Sequence, residues 1–201
     1  MNEVDKVFEK TGNAAGFASG YFEYLSRVLL DINVQDIAKF AELLLAARDS
    51  GNQIIFMGNG GSAATASHFA NDIGIGTRTL DKPFRAISIT DNNAVMTAIA
   101  NDDGFDEVFL QQLKLIMRPG DVIVAISVSG NSPNVIKSVE YANANGGITV
   151  GLTAFNGGKL KEDAKYSIHV PTNPKEYGPA EDAHMVLDHL ISAYLMRVIR
   201  G

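Results

Sequence analysis

Hydrophobic positions along the chain change their rhythm once, near residue 50. Before that point they recur at helical spacing. Phe17, Tyr21, Tyr24, Leu25 and Val28 form one such set, and Ile37, Phe40, Ala41, Leu43 and Leu44 form a second after a polar break at 31–33. Residues 3–50 are therefore predicted as a helical hairpin, apolar enough either to cap the domain or to pack against another subunit. From residue 53 the pattern becomes short apolar runs, at 53–57, 85–89, 121–126, 148–152 and 166–170, each followed by small or polar residues and a helical stretch. Runs without alternation are what strands covered on both faces require. Strands separated by helices predict right-handed βαβ units, hence an α/β fold with a doubly wound, five-stranded parallel sheet. A helix over 179–199 closes the chain. No linker or repeat divides it, so one domain over 1–201 is expected, with 1–50 as a helical extension.

Bulk properties narrow the picture. The 201 residues are 46% hydrophobic and 20% charged, the mix of an ordinary globular protein with a full core. There are no cysteines, which excludes disulfides and thiolate metal ligands and leaves His and carboxylates to hold any ion. Neither a signal peptide nor an apolar span of about 18 residues is evident, so a cytoplasmic address is expected, with no membrane partner. The formal charge of −6 argues against nucleic acid as a partner, but backbone dipoles can still bind a small anion in an acidic protein.

Parallel α/β sheets bind ligands beyond the carboxyl ends of their strands. Two loops there carry candidate chemistry. Gly58-Asn59-Gly60-Gly61-Ser62 follows the first strand, with Ser62 placed to cap the next helix. Alone it reads as a plain strand–helix turn, and the dinucleotide spacing G-x-G-x-x-G is absent. Ser127-Val128-Ser129-Gly130-Asn131-Ser132 follows the third strand and gathers three hydroxyls and free amides at a helix start, a ready anion site. Two such loops on one sheet favour a phosphate-sized ligand.

Both loops together resemble the sugar isomerase (SIS) domain family, whose phosphosugar cradle follows a strand as S-x-S-G-x-S. The resemblance extends through His68-Phe69-Ala70, Ala100-Asn101-Asp102 and Glu181-Asp182-Ala183-His184 with His189, a combination similar to the phosphoheptose isomerase branch over nearly the whole length. It implies a flavodoxin-like sheet of SIS type and interconversion of sedoheptulose 7-phosphate and glycero-manno-heptose 7-phosphate. It further implies a homotetramer with sites between subunits and a divalent metal, zinc by expectation. Carried over, Asn59, Gly60, Gly61 and Ser62 would line the sugar, Asn101 and Asp102 would touch it, and Ser127, Ser129 and Ser132 would hold the phosphate. His68, Asp72, Glu181 and His189 would form the metal and acid–base centre, with Asp72 as base, His189 as acid and Glu181 also meeting substrate.

The residues allow that assignment and mark three departures from it. His68 and Asp72 are four apart, so both project from one helix face, as half of a zinc or iron site would require. Glu181 and His189 are eight apart, about 12 Å along a straight helix. One ion reaches both only if Glu181 precedes the helix, or if the two come from different subunits. His184 lies one turn before Asp188 and is expected to pair with it on the solvent face, and His169 is expected to be structural. Against the family pattern, Asp72 stands for Glu, Glu181 for Gln and Val128 for Thr in the serine loop. Two rival expectations share the fold: a scaffold binding the bacterial replication initiator, and a phosphosugar-sensing regulator. Scaffold relatives tend to lack the acid at 72 and the histidine at 189, and no basic DNA-binding helix pair is evident before residue 50.

Overall fold

The computed structural model describes residues 1–200. Three helices lead the chain: α1 (Glu3–Thr11), α2 (Ala14–Leu30) and α3 (Val34–Ser50). The α/β part follows as β1 (Gln53–Gly58), α4 (Gly61–Asn71), β2 (Arg85–Ser88), α5 (Asn93–Asp102), α6 (Leu110–Ile116), β3 (Val122–Ser127), α7 (Pro133–Ala144), β4 (Ile148–Ala154), α8 (Gly158–Asp163), β5 (Tyr166–Val170) and α9 (Tyr177–Arg200). The five strands run parallel in the order β2-β1-β3-β4-β5.

The N-terminal segment has one more break than its periodicity suggested. Gly12, left-handed at φ 62°, ends α1, and the Asn13 side chain accepts a hydrogen bond from the Gly16 amide to start α2. Asn2 and Asn33 cap α1 and α3 in the same way, which is why three asparagines punctuate this stretch.

Strand faces explain the continuous apolar runs. In β1, Ile54 and Phe56 face one core, with Phe69 of α4, Phe40 and Leu44 of α3 and Leu187 and Ile191 of α9. Ile55 and Met57 face the other, with Phe109, Leu113, Val135 and Val139. Phe56 and Phe69 stack at 4.9 Å, and Phe40 meets Phe69 edge-on at 5.9 Å. All three rings are fully buried, so Phe69→Ala is expected to cost about 3–5 kcal/mol.

The strand order fixes where a ligand can sit. From β1 the chain steps outward to β2 and then returns across β1 to β3, so the loops after β1 and β3 diverge at a topological switch point. Gly58 pairs with Ile126, which sets the two loops side by side. Asn59 and Asn134 exchange amide hydrogen bonds at 2.9 and 3.0 Å and lock them together.

Candidate active site

Between those loops lies a cavity of about 190 Å³, lined by Asn59, Ser62, Ser127, Val128, Ser129, Ser132, Tyr177 and Glu181. Ser127 and Ser132 share a hydrogen bond at 3.1 Å, and the Ser129 hydroxyl accepts one from the Asn131 amide at 3.3 Å. Ser132 is the N-cap of α7, yet its side chain caps no helical amide and lines the cavity, while the Val135 amide donates to Oδ1 of Asn134 at 3.0 Å. Gly130 has φ 66°, and a side chain there would collide with the Gly157 carbonyl, which keeps this loop tight.

The loop after β1 contributes differently from the sequence expectation. Gly60, at φ 54°, is the cap position and has no side chain to bond, and α4 begins at Gly61, two residues earlier than a Ser62 cap would place it. Ser62 is therefore inside the first turn rather than capping it, though it is buried and lines the cavity. A Cβ at Gly61 would meet the Glu181 carboxylate from α9, which would have to move aside. Burial, followed by the neighbouring charge of Asp182, raises the Glu181 pKa.

A second group of polar side chains meets where α4 ends against α9. Nε2 of His68 lies 3.2 Å from Nε2 of His189, 3.5 Å from Oδ2 of Asp72 and 4.0 Å from Oδ2 of Asp188. One donor atom from each of His68, Asp72, Asp188 and His189 lies within 4.8 Å of all the others. Asp72 opens a π-turn, Asp72–Gly76, that continues α4, a local rewinding that recurs at functional sites. Asp188 is fully buried and neither oxygen has a hydrogen-bond partner. Desolvation, then the charge of Asp72, pushes its pKa up to about 8. These four residues are a possible metal-ligand cluster: two imidazoles and two carboxylates suit zinc or iron, and an unpartnered buried carboxylate fits a site built around a cation.

The comparisons with known proteins point one way. The SIS domain family model matches residues 20–154. The chain is 38% identical over 178 residues to the probable phosphoheptose isomerase of Thermoplasma acidophilum, covering 89% of this chain and 97% of that one. It is 35% identical over 191 residues to the phosphoheptose isomerase of Aquifex aeolicus, covering 95% and 93%. The solved phosphoheptose isomerase GmhA of Neisseria gonorrhoeae superimposes with a TM-score of 0.80 at 33% identity, covering 89% and 96%. The chain belongs to the SIS-domain family, in its phosphoheptose isomerase branch.

Within this SIS domain the expected site residues divide into three places. Asn59, Ser62, Ser127, Ser129, Ser132 and Glu181 share the cavity, with Gly61 against Glu181. His68, Asp72 and His189 share the cluster. Asn101 and Asp102 stand exposed at the end of α5, the Asn101 amide donating to the Asp102 carboxylate at 2.7 Å. Glu181 is outside the possible ligand cluster, and α9 already begins at Tyr177, so the option that Glu181 precedes the helix does not hold.

The pairing of His184 with Asp188 on the solvent face is also corrected. Both are fully buried, and no hydrogen bond joins them. Neither ring nitrogen of His184 has a hydrogen bond of normal geometry, although the Thr153 backbone lies beside it. Burial lowers the His184 pKa to about 4. The burial of Asp188 was legible in its phase: Ala180, Ala183, His184, Leu187, Asp188, Ile191 and Leu195 form one buried helical stripe.

Among the described residues a larger groove, about 440 Å³, runs between α3 and α9. Its lining is mostly apolar, with Val34, Ile37, Leu45 and Leu190, alongside Glu42 and Tyr194. No helix among the described residues is long and apolar enough to cross a membrane.

Proposed function

We propose that this SIS-domain chain catalyses aldose–ketose isomerisation of a phosphorylated sugar, sedoheptulose 7-phosphate to glycero-manno-heptose 7-phosphate, by proton transfer through an enediol. The observation that carries this reading is the serine-lined cavity at the switch point together with a titratable cluster further along the same helix. Ser127, Ser129 and Ser132, at the start of α7, hold the phosphate. Glu181 and His189 are about 12 Å apart along α9, and a seven-carbon sugar bearing a terminal phosphate has a comparable length.

In the proposed mechanism Asp72 takes the proton from the carbon beside the carbonyl and returns a proton to the former carbonyl carbon, while His189 moves a proton between the two neighbouring oxygens. Asn59 and Glu181 orient hydroxyls, while Asn101 and Asp102 meet the sugar from α5. His68, Asp72 and His189, with Glu181 as the fourth expected ligand, would hold a divalent ion, zinc by this reading. When bound, it lends positive charge to the developing enediolate. The assembly proposed is a homotetramer, supported by the apolar groove between α3 and α9 and by exposed Leu190, Tyr194 and Val198 on α9.

Turnover of sedoheptulose 7-phosphate, phosphosugar affinity and metal content, measured on wild type, Asp72→Asn and His189→Gln, test this reading. Each variant is expected to lose roughly 10²- to 10⁴-fold in turnover. The double variant is expected to be scarcely worse than either single one. Wild type without turnover, or unchanged turnover in both single variants, contradicts the isomerase and favours a scaffold.

A further inference from the structure

We propose that Tyr177, the first residue of α9, is a substrate-binding residue. Its hydroxyl donates a hydrogen bond to the phosphate in the serine cavity, and Phe155 is the positioning residue that holds its ring there. This rests on the phosphosugar part of the proposed function, and on neither its proton transfers nor its ion.

The first ground is the supply of donors. Among the described residues the cavity lining holds no lysine or arginine, and one of its walls is the Glu181 carboxylate. Within this chain a phosphate there is met by hydroxyls and amides, so every free donor counts. Several are already engaged. Ser127 and Ser132 spend a proton on each other, and Asn59 donates to Asn134 across the two loops. Tyr177 adds a phenolic hydroxyl to the same lining.

The second ground is a contrast among three tyrosines near the start of α9. The Tyr24 hydroxyl donates to Glu176, and the Tyr21 hydroxyl donates to Asp182 at 2.6 Å. Tyr177 makes no such bond among the described residues, and it is 52% exposed although it lines the cavity. A phenol presented to a cavity with its hydroxyl uncommitted is available to a ligand.

The third ground is the backbone on either side of its ring. Outside glycine, left-handed φ occurs at three of the described residues: Arg78, Phe155 and Lys175. Two of them bracket Tyr177. Lys175, at φ 72°, is in the turn that leads into α9. Phe155, at φ 58°, follows β4, and its ring meets that of Tyr177 edge-on at 5.0 Å. Such a conformation is unfavourable for a bulky side chain and persists only where its neighbours fix it. Around Phe155 they do. The Ala154 amide donates to the Val128 carbonyl of the serine loop at 2.9 Å, and the Gly157 amide closes a turn on the Ala154 carbonyl at 2.8 Å. The serine loop thus fixes Phe155, and Phe155 fixes the Tyr177 ring beside that same loop.

Calorimetric affinity for inorganic phosphate and for sedoheptulose 7-phosphate, with kcat and KM, tests this on wild type, Tyr177→Phe, Phe155→Leu and the double variant. Tyr177→Phe keeps the ring and loses only the hydroxyl. It is expected to weaken both ligands about tenfold and to raise KM alike, with kcat held within about twofold. Phe155→Leu is expected to weaken phosphate when Tyr177 is present and to add nothing in the Tyr177→Phe background, a dependence that a merely structural residue does not show. Affinity for both ligands unchanged in Tyr177→Phe overturns the proposal. Affinity lost for the sugar phosphate alone moves the hydroxyl to the sugar and overturns the phosphate contact. Equal losses from Phe155→Leu in both backgrounds overturn its positioning role. Wild type that binds neither ligand overturns the proposal together with the phosphosugar reading. Wild type that binds both without turnover, and loses both about tenfold in Tyr177→Phe, supports the proposal and contradicts only the isomerase.

Discussion

Two buried carboxylates frame the C-terminal helix, and they could hardly be treated more differently. Glu176, just before α9, is 2% exposed and accepts from the Glu3 amide at 2.6 Å, the Asn173 amide at 2.9 Å, the Val4 amide at 3.4 Å and the Tyr24 hydroxyl. Asp188, three turns into the helix, is 0% exposed and accepts from nothing. The first ties the start of α1, the middle of α2 and the loop after β5 into one knot beside Tyr177, and so braces a wall of the serine cavity. The second braces nothing. The contrast sets Asp188 apart from the bracing contacts of the fold and with the polar cluster where α4 meets α9.

Replacing the two groups by apolar side chains is expected to break the symmetry most sharply. Glu176→Ala leaves three part-buried amides and a buried hydroxyl without their acceptor, and the cost is about 3 kcal/mol in urea unfolding. Asp188→Leu in chelator removes a buried carboxyl group with no hydrogen-bond partner, so its stability is expected to match or exceed that of wild type. Equal losses in the two variants would erase the distinction.

The next effect concerns pH. His184 lies on the same buried stripe, and its folded pKa, about 4, is below the ordinary histidine value near 6.5. The unfolded chain therefore binds the proton first. The stability tied to neutral His184 is complete above about pH 6.5 and is lost as the pH falls toward 4, on the order of 3 kcal/mol in all. Urea midpoints of His184→Gln are expected to fall less steeply than wild type across that window. Parallel slopes would show that His184 is not the group responsible.

Smaller effects sharpen the knot itself. Tyr24→Phe removes one donor to Glu176 and is expected to cost about 1 kcal/mol. Tyr21, whose hydroxyl donates to the exposed Asp182 at 2.6 Å, is expected to cost a few tenths when changed to Phe. A larger loss at Tyr21 than at Tyr24 would place the brace on α2 and Asp182 instead of Glu176.

The sheet was legible because its strands are covered on both sides: only a doubly wound sheet asks for runs such as 121–126 with no polar alternation. The serine cradle was legible because its chemistry is local, a strand, a turn and a helix start within a dozen residues. What the sequence hid depended on long-range packing. The Gly12 break needed a left-handed glycine next to a capping asparagine, a signal easily lost in an apolar helical stretch. Ser62 looked like a cap until the paired glycines moved the helix start. His184 and Asp188 were read as a surface pair because charged residues one turn apart usually are, whereas their phase with Leu187, Ile191 and Leu195 put them inside.

The central claim, that this chain moves a proton on a phosphosugar through an enediol, is tested most directly by running the reaction in deuterium oxide. Sedoheptulose 7-phosphate is incubated with the protein and the product is followed by NMR. The account predicts conversion to an aldoheptose phosphate carrying solvent deuterium at the carbon beside the new aldehyde, because a base such as Asp72 exchanges its proton with water between the two transfers. No conversion contradicts the assigned activity. Conversion with no deuterium in the product contradicts the proton-transfer mechanism and points to direct hydride movement between the two carbons.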